Sequence, residues 1–220
     1  MVPHIKNFTA AEILGLSGFV ICLHGFGTGK HGSKIARLMS ELSAQNIGAV
    51  AIDLPEHGEN KNKLTIDNCI KDIAEIENHL RQFNKPISFY GCSFGGYTTL
   101  AYLLNNKNIY KNIFLLVPLI DAYKKYLPRL GQVYGKTNIV FTTEFVNSTK
   151  KFDVIKNAKN YKNLDIVYAE FDQTVDNNDI LNFAKATKSN LYEIKGANHW
   201  FENEGELDQV MKIAIEVFTR

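Results

Sequence analysis

The pentapeptide Gly91-Cys92-Ser93-Phe94-Gly95 constrains this chain more than any other feature. The apolar run Ile87-Ser88-Phe89-Tyr90 precedes it, and Tyr97-Thr98-Thr99-Leu100-Ala101-Tyr102-Leu103-Leu104 follows it and reads as a helix. A strand that turns into a helix this sharply needs residues without side chains on both sides of the bend. A G-x-S-x-G pattern in that setting projects a serine hydroxyl from the turn. The helix that begins there aims its free N-terminal N–H groups at negative charge developing beside the serine. Ser93 is therefore a candidate nucleophile, and the chain must supply a base and an orienting acid further on.

The rest of the chain alternates strand-like and helix-like segments, which predicts an α/β fold with a mostly parallel central sheet flanked by helices. Phe19–Leu23 is a continuous apolar run, as expected of a strand buried on both faces. Ile35, Leu38, Met39 and Leu42 then recur at helical spacing. Residues 48–53, 113–117, 164–169 and 191–194 read as further strands. Ile66, Ile70, Ile73, Glu77 and Leu80 trace a helical face that is apolar except for the glutamate. Leu207, Val210, Met211, Ala214, Val217 and Phe218 share one face of a final helix. Residues from about 119 to 161 break this rhythm and are long for a strand-to-helix connection. They carry Tyr123, Tyr126, Tyr134, Phe141, Phe145 and Phe152. The expectation is one domain, 1–220, with a small cap or lid inserted at about 119–161.

Composition narrows the class. With 220 residues, 45% of them hydrophobic and 22% charged, the chain can bury a large core without disulfides. The cysteines Cys22, Cys69 and Cys92 are odd in number and form no C-x-x-C pair. With no signal-peptide pattern at Met1–Lys6, they point to a reducing, cytoplasmic setting and against structural zinc. No apolar run approaches the roughly 20 residues of a membrane span. The net charge of +2 indicates no nucleic-acid partner, and oligomeric state is not legible. Residues 118–162, however, hold nine lysines and arginines against three acidic residues. That excess is a solvated surface or a basic rim that attracts anionic substrates.

An acid and a base follow Ser93 in the order such sheets use, serine, then carboxylate, then histidine. Asp172 comes just after the 164–169 strand, and His199 just after the 191–194 strand. The carboxyl ends of parallel strands face one edge, so the three residues can converge there. Asp176, four residues later, is the rival acid; Asp172 is preferred because it is nearer the strand end. An oxyanion hole would take the backbone N–H of Phe94 and a second donor from His24-Gly25-Phe26-Gly27, most simply the Phe26 N–H. His24 and His57 read as loop-holding residues. No metal-ligand cluster is visible, so no metal is expected.

These pieces together resemble the α/β-hydrolase superfamily over nearly the full length. The resemblance rests on His24–Gly27, Asp53-Leu54-Pro55-Glu56-His57-Gly58, the elbow with its extra Gly96, Phe171-Asp172-Gln173-Thr174-Val175, and Gly196-Ala197-Asn198-His199-Trp200-Phe201. Within it the chain is most similar to small bacterial carboxylesterases of the cinnamoyl/feruloyl-esterase type. The resemblance implies cleavage of a small-molecule ester by Ser93, Asp172 and His199, with no cofactor. Phe26, Tyr123, Tyr126 and Trp200 are the candidate substrate-binding residues. The loops at Glu170-Phe171-Asp172 and His57-Gly58-Glu59-Asn60 depart from the family's usual glycine and serine. The same three residues would also serve a thioesterase, an acyltransferase or a peptidase. Two rivals belong to other classes: a non-catalytic ligand-binding homologue, and an NAD-binding oxidoreductase using G-x-G-x-x-G at Gly27–Gly32 with Asp53.

Overall fold

Six strands pair in parallel in the order β2-β1-β3-β4-β5-β6 in a computed structural model that describes residues 16–106 and 109–220. The Met1–Lys6 segment lies outside the described residues. The strands are β1 (Gly18–Leu23), β2 (Ile47–Ile52), β3 (Ile87–Cys92), β4 (Ile113–Leu116), β5 (Leu164–Ala169) and β6 (Asn190–Ile194). Every residue of β1, β2 and β4 is buried, which explains why they read as unbroken apolar runs. β6, at one edge, buries only Ile194.

The chain runs from β1 outward to β2 and then returns to place β3 on the other side of β1. The loops leaving β1 and β3 therefore diverge at the carboxyl edge, where open α/β sheets form their crevice. This reversal brings His24–Gly27 and the Ser93 turn together.

The helices follow the periodicity of the sequence. They are α1 (Ser33–Ala44), α2 (Ile66–Arg81), α3 (Phe94–Asn105), α4 (Ala122–Tyr126), α5 (Thr143–Lys151), α6 (Asn177–Thr187) and α7 (Glu206–Thr219). α1 buries Ile35, Leu38 and Leu42 and packs on α7. α2 starts at Thr65, whose side chain accepts from the Asn68 N–H, and packs on α3. Its buried face includes Glu77, fully hidden. The hydroxyls of Tyr102 and Tyr110, the Asn106 amide and the Arg81 guanidinium all donate to that carboxylate. Burial alone would raise the Glu77 pKa, but these donors outweigh it and hold the group below its usual value. No helix among the described residues is long and apolar enough to cross a membrane.

Between β4 and β5 the chain forms α4, a 3₁₀ turn at Leu127–Arg129, an isolated antiparallel bridge from Val133 to Val140, α5 and a second 3₁₀ turn. Buried hydroxyls tie this segment to the helices beneath. Tyr97 donates to the carbonyls of Thr149 and Phe152 at 2.8 and 3.0 Å, and Tyr161 donates to the Leu100 carbonyl at 3.0 Å. Ser148 Oγ accepts the first N–H of α2.

Candidate active site

Ser93 occupies the turn between β3 and α3 with φ 53° and ψ −113°, a left-handed backbone that costs a non-glycine residue energy. Its neighbours hold it there. The Ser93 N–H donates to the Leu116 carbonyl at 2.9 Å, and its own carbonyl accepts from Leu119 and Tyr97. Two glycines make the bend sterically open. A Cβ on Gly95 would fall 2.2 Å from the Leu23 carbonyl oxygen, and one on Gly91 would fall 2.7 Å from the Gly95 carbonyl oxygen.

The three sequence candidates meet at this edge. Ser93 Oγ lies 3.1 Å from His199 Nε2, and His199 Nδ1 lies 2.7 Å from Asp172 Oδ2. The other oxygen of Asp172 accepts the backbone N–H groups of Thr174 and Val175 at 2.7 and 2.8 Å. The carboxylate is fully buried and the imidazole 4% exposed, so the pair is shielded from competing water. With Nδ1–H donated to Asp172, Nε2 is left to accept the Ser93 proton. Asp176 stands apart. It caps α6, accepting from the Asn178 N–H at 2.9 Å.

The loop facing Ser93 is held by two buried histidines. His24 Nδ1 donates to the Gly25 carbonyl while its Nε2 accepts the Leu54 N–H at 3.0 Å. His57 Nδ1 donates to the Pro55 carbonyl while its Nε2 accepts the Gly27 N–H at 3.0 Å. Each ring therefore needs one bare nitrogen. Burial, reinforced by His57, lowers His24 to about 4, and burial also lowers His57. Between them the N–H groups of Phe26 and Phe94 meet no protein acceptor among the described residues. A Cβ placed on Gly25 would lie 3.6 Å from the Ser93 Cβ, which puts this loop in contact with the serine.

The Gly27–Gly32 segment has a structural role. Asp53 accepts the backbone N–H groups of Lys30 and Glu59 and pairs with the Lys30 ammonium at 3.1 Å. A ribose would have to displace all three donors. The glycines are required by neighbours instead, since a Cβ on Gly27 would fall 2.2 Å from the Tyr134 ring. These contacts correct the dinucleotide reading of the motif and of Asp53.

A cavity of about 250 Å³ opens over Ser93 and His199. Phe26, Tyr126, Tyr134 and Trp200 line it, as do Leu119 and Val175. Phe26 is central to an aromatic cluster, stacked on Phe141 and edge-on to Phe94 and Tyr134. The Trp200 ring stands edge-on to the His199 imidazole. Tyr123 does not line the cavity; its ring sits under the Lys150 ammonium. Tyr126 is buried in the aromatic cluster at the end of α4, whereas Tyr123, one turn earlier, stays half-exposed. Sequence reasoning missed Lys34, Lys125 and Arg129, which also line the cavity. The only trace of the last two was the basic excess of residues 118–162. Cys22, Cys69 and Cys92 are unpaired, the first two in the core.

Comparison with known proteins agrees with this architecture. The family model described as serine aminopeptidase, S33, matches residues 16–160. No curated protein matches the chain. Among solved structures, Est1E from Butyrivibrio proteoclasticus with bound ferulic acid superposes with a TM-score of 0.75 at 17% identity, covering 94% of this chain and 91% of that one. A monoacylglycerol lipase from Paleococcus ferrophilus gives 0.70 at 18% identity, covering 90% and 93%. A putative hydrolase from Agrobacterium vitis S4 gives 0.77 at 15% identity, covering 91% and 88%. At these identities the likeness establishes the fold alone.

Proposed function

The chain belongs to the serine aminopeptidase S33 family of α/β-hydrolases, and from that premise we propose that it cleaves small to medium carboxylic esters through an acyl-enzyme on Ser93. The observation that carries the reading is the unbroken relay from Asp172 through His199 to Ser93, at 2.7 and 3.1 Å. His199 Nε2 takes the hydroxyl proton as Ser93 Oγ bonds to the ester carbonyl carbon. The carbonyl oxygen becomes an oxyanion facing the N–H groups of Phe94 and Phe26. Asp172 holds the imidazole in the right tautomer and stabilises its cation. Collapse breaks the bond to the alcohol oxygen, which leaves with the proton from His199. Water then attacks the acyl-enzyme with the same base, releasing the acid and restoring Ser93. The segment between β4 and β5 acts as the cap, placing Tyr126 and Tyr134 over the acyl group.

The same relay could open an N-terminal peptide bond, as the family's description suggests, but the cavity lining argues for the ester. An aminopeptidase must neutralise a free α-ammonium, and no Asp or Glu lines this cavity among the described residues. Asp172 is engaged behind His199. The test is labelling with a fluorophosphonate and turnover of an aryl-ester panel beside aminoacyl anilides. Labelling that maps to Ser93, is lost in Ser93→Ala, and accompanies ester turnover is the expected result. Labelling that survives Ser93→Ala, or turnover confined to the anilides, overturns the proposal.

A further inference from the structure

Three cations line the same cavity, and no Asp or Glu lines it with them among the described residues. Lys34 comes from the first turn of α1, Lys125 from α4 and Arg129 from the 3₁₀ turn that follows. All three are half-buried. None forms an ion pair among the described residues. Several cations elsewhere do: Lys30 with Asp53, Lys63 with Glu144, Lys124 with Asp179 and Lys151 with Asp67. The neighbours of the three position them without neutralising them. Lys125 Nζ donates to the Thr174 carbonyl, on the loop that carries Asp172. The Arg129 guanidinium lies 5.9 Å over the Phe141 ring. Lys34 Nζ stands 5.9 Å over the Trp200 ring, beside His199.

This arrangement is costly unless something else supplies the negative charge. Half-buried like charges repel through a medium that screens poorly. Burial, and then the charge of Arg129, pull the Lys125 ammonium below its usual value, against a smaller opposing pull from Asp172 behind His199. Both effects are relieved by an anion seated between them. Arginine offers a planar fork that matches a carboxylate with two parallel hydrogen bonds, and lysine adds a point charge. The aromatic wall around Phe26 provides the apolar remainder of the pocket.

We propose that Arg129, Lys125 and Lys34 form an anion-recognition site, so that the ester cleaved at Ser93 carries a second, anionic group such as a carboxylate. The proposal deepens the esterase reading and rests on it. The anionic group sits either on the acyl chain or on the alcohol, and the substrate decides which.

The test uses the whole chain and matched ester pairs. One arm compares a monoalkyl ester of a dicarboxylic acid with the same ester whose free carboxylate is replaced by a primary amide, placing the charge on the acyl side. The other compares an acetate ester of a hydroxy acid with the corresponding hydroxy amide, placing it on the alcohol. In one arm or the other, kcat/KM of the wild type favours the anionic ester by on the order of tenfold or more, the scale of a charge-assisted hydrogen bond. Arg129→Gln brings that ratio toward one, Arg129→Lys restores part of it, and Arg129→Glu inverts it. Lys136→Gln, which removes an exposed cation of the same segment outside the cavity, leaves the ratio in place. A wild type that treats both members of both pairs alike overturns the site. So does a ratio that falls equally in Arg129→Gln and Lys136→Gln, because that is general steering by surface charge. Binding of the dicarboxylate half-acid to Ser93→Ala, measured by calorimetry, reads the site without chemistry. Binding without ester turnover would leave the site standing and sink the esterase reading, while turnover without charge preference would do the reverse.

Discussion

Asp172 and Glu77 are carboxylates hidden to almost the same degree, with side chains 0% and 1% exposed, yet their surroundings give them different work. Glu77 is enclosed by groups whose protonation does not change near neutrality: two tyrosine hydroxyls, an amide and a guanidinium. Asp172 spends one oxygen on two backbone N–H groups and turns the other toward an imidazole that can gain and lose a proton. Burial alone therefore does not set the carboxylate of the proposed relay apart from Glu77. The titratable partner does, together with a cavity on that partner's far side.

The sharpest way to break this contrast is to neutralise each carboxylate in turn. Asp172→Asn keeps the shape but presents an amide to His199 and favours the wrong tautomer, so kcat should fall by about 10⁴. The thermal midpoint should move much less. Glu77→Gln should leave ester turnover near wild type. A comparable loss of kcat in Glu77→Gln, with the fold intact by circular dichroism, would erase the distinction.

The second effect lies in stability. Glu77→Leu strands two buried tyrosine hydroxyls and frees Arg81, which should cost about 3 kcal/mol. For a chain of this length that lowers the thermal midpoint by roughly 6–12 °C. Because its donors hold Glu77 below the usual carboxylate value, its contribution is fully present above the unfolded carboxyl pKa. It is lost as the pH falls through the lower, folded value. Calorimetry against pH checks this, and a midpoint shift of a degree or less in Glu77→Leu would contradict it.

These roles were unequally legible in the sequence. The elbow is fixed by backbone demands that leave residue-level marks, glycines where a Cβ would strike a carbonyl, while Asp172 and His199 stood out as polar residues just past strand ends. The strands were readable because burial on both faces forces continuous apolar runs. Glu77 stood out as a lone charge on an apolar helical face, but its partners Tyr102, Asn106 and Tyr110 come from a different part of the chain. The segment between β4 and β5 was the least readable region. Whether Tyr123 or Tyr126 enters the cavity, and whether Arg129 turns inward, depends on a five-residue helix and one 3₁₀ turn. Such short elements carry too few residues to show a period. The Gly27–Gly32 pattern was readable but misleading, since those glycines serve Tyr134 and Asp53.

His24 and His199 differ in the same way. Both are buried, but His199 presents Nε2 to Ser93 while His24 presents it to the Leu54 N–H. Protonating His24 would bring two N–H groups face to face. Its folded pKa of about 4 lies below the usual 6.5, so the unfolded chain binds the proton first as the pH drops. The stability that neutral His24 contributes is complete above about 6.5 and is lost down to about pH 4, reaching roughly 3 kcal/mol. This window lies above that of Glu77, and His57, lowered by the same burial, adds to it. His24→Gln should shrink this higher step, and a wild-type midpoint that stays constant from pH 7 to 4.5 would refute the assignment.

The smallest effect tests the contrast at closest range, because Asp176 shares a loop with Asp172. Its carboxylate accepts the Asn178 N–H and sits at the N-terminus of α6, exposed to water. Asp176→Ala removes one cap and its favourable charge at the helix start, a loss of about 1 kcal/mol. Water can replace the lost acceptor at an exposed end, so nothing beyond that figure is expected. No contact links Asp176 to His199, so kcat should stay at the wild-type value while the thermal midpoint drops by roughly 2–4 °C. If the rate fell by orders of magnitude instead, Asp176 would be the acid of the relay. The 2.7 Å contact between Asp172 and His199 would then be only a structural hydrogen bond.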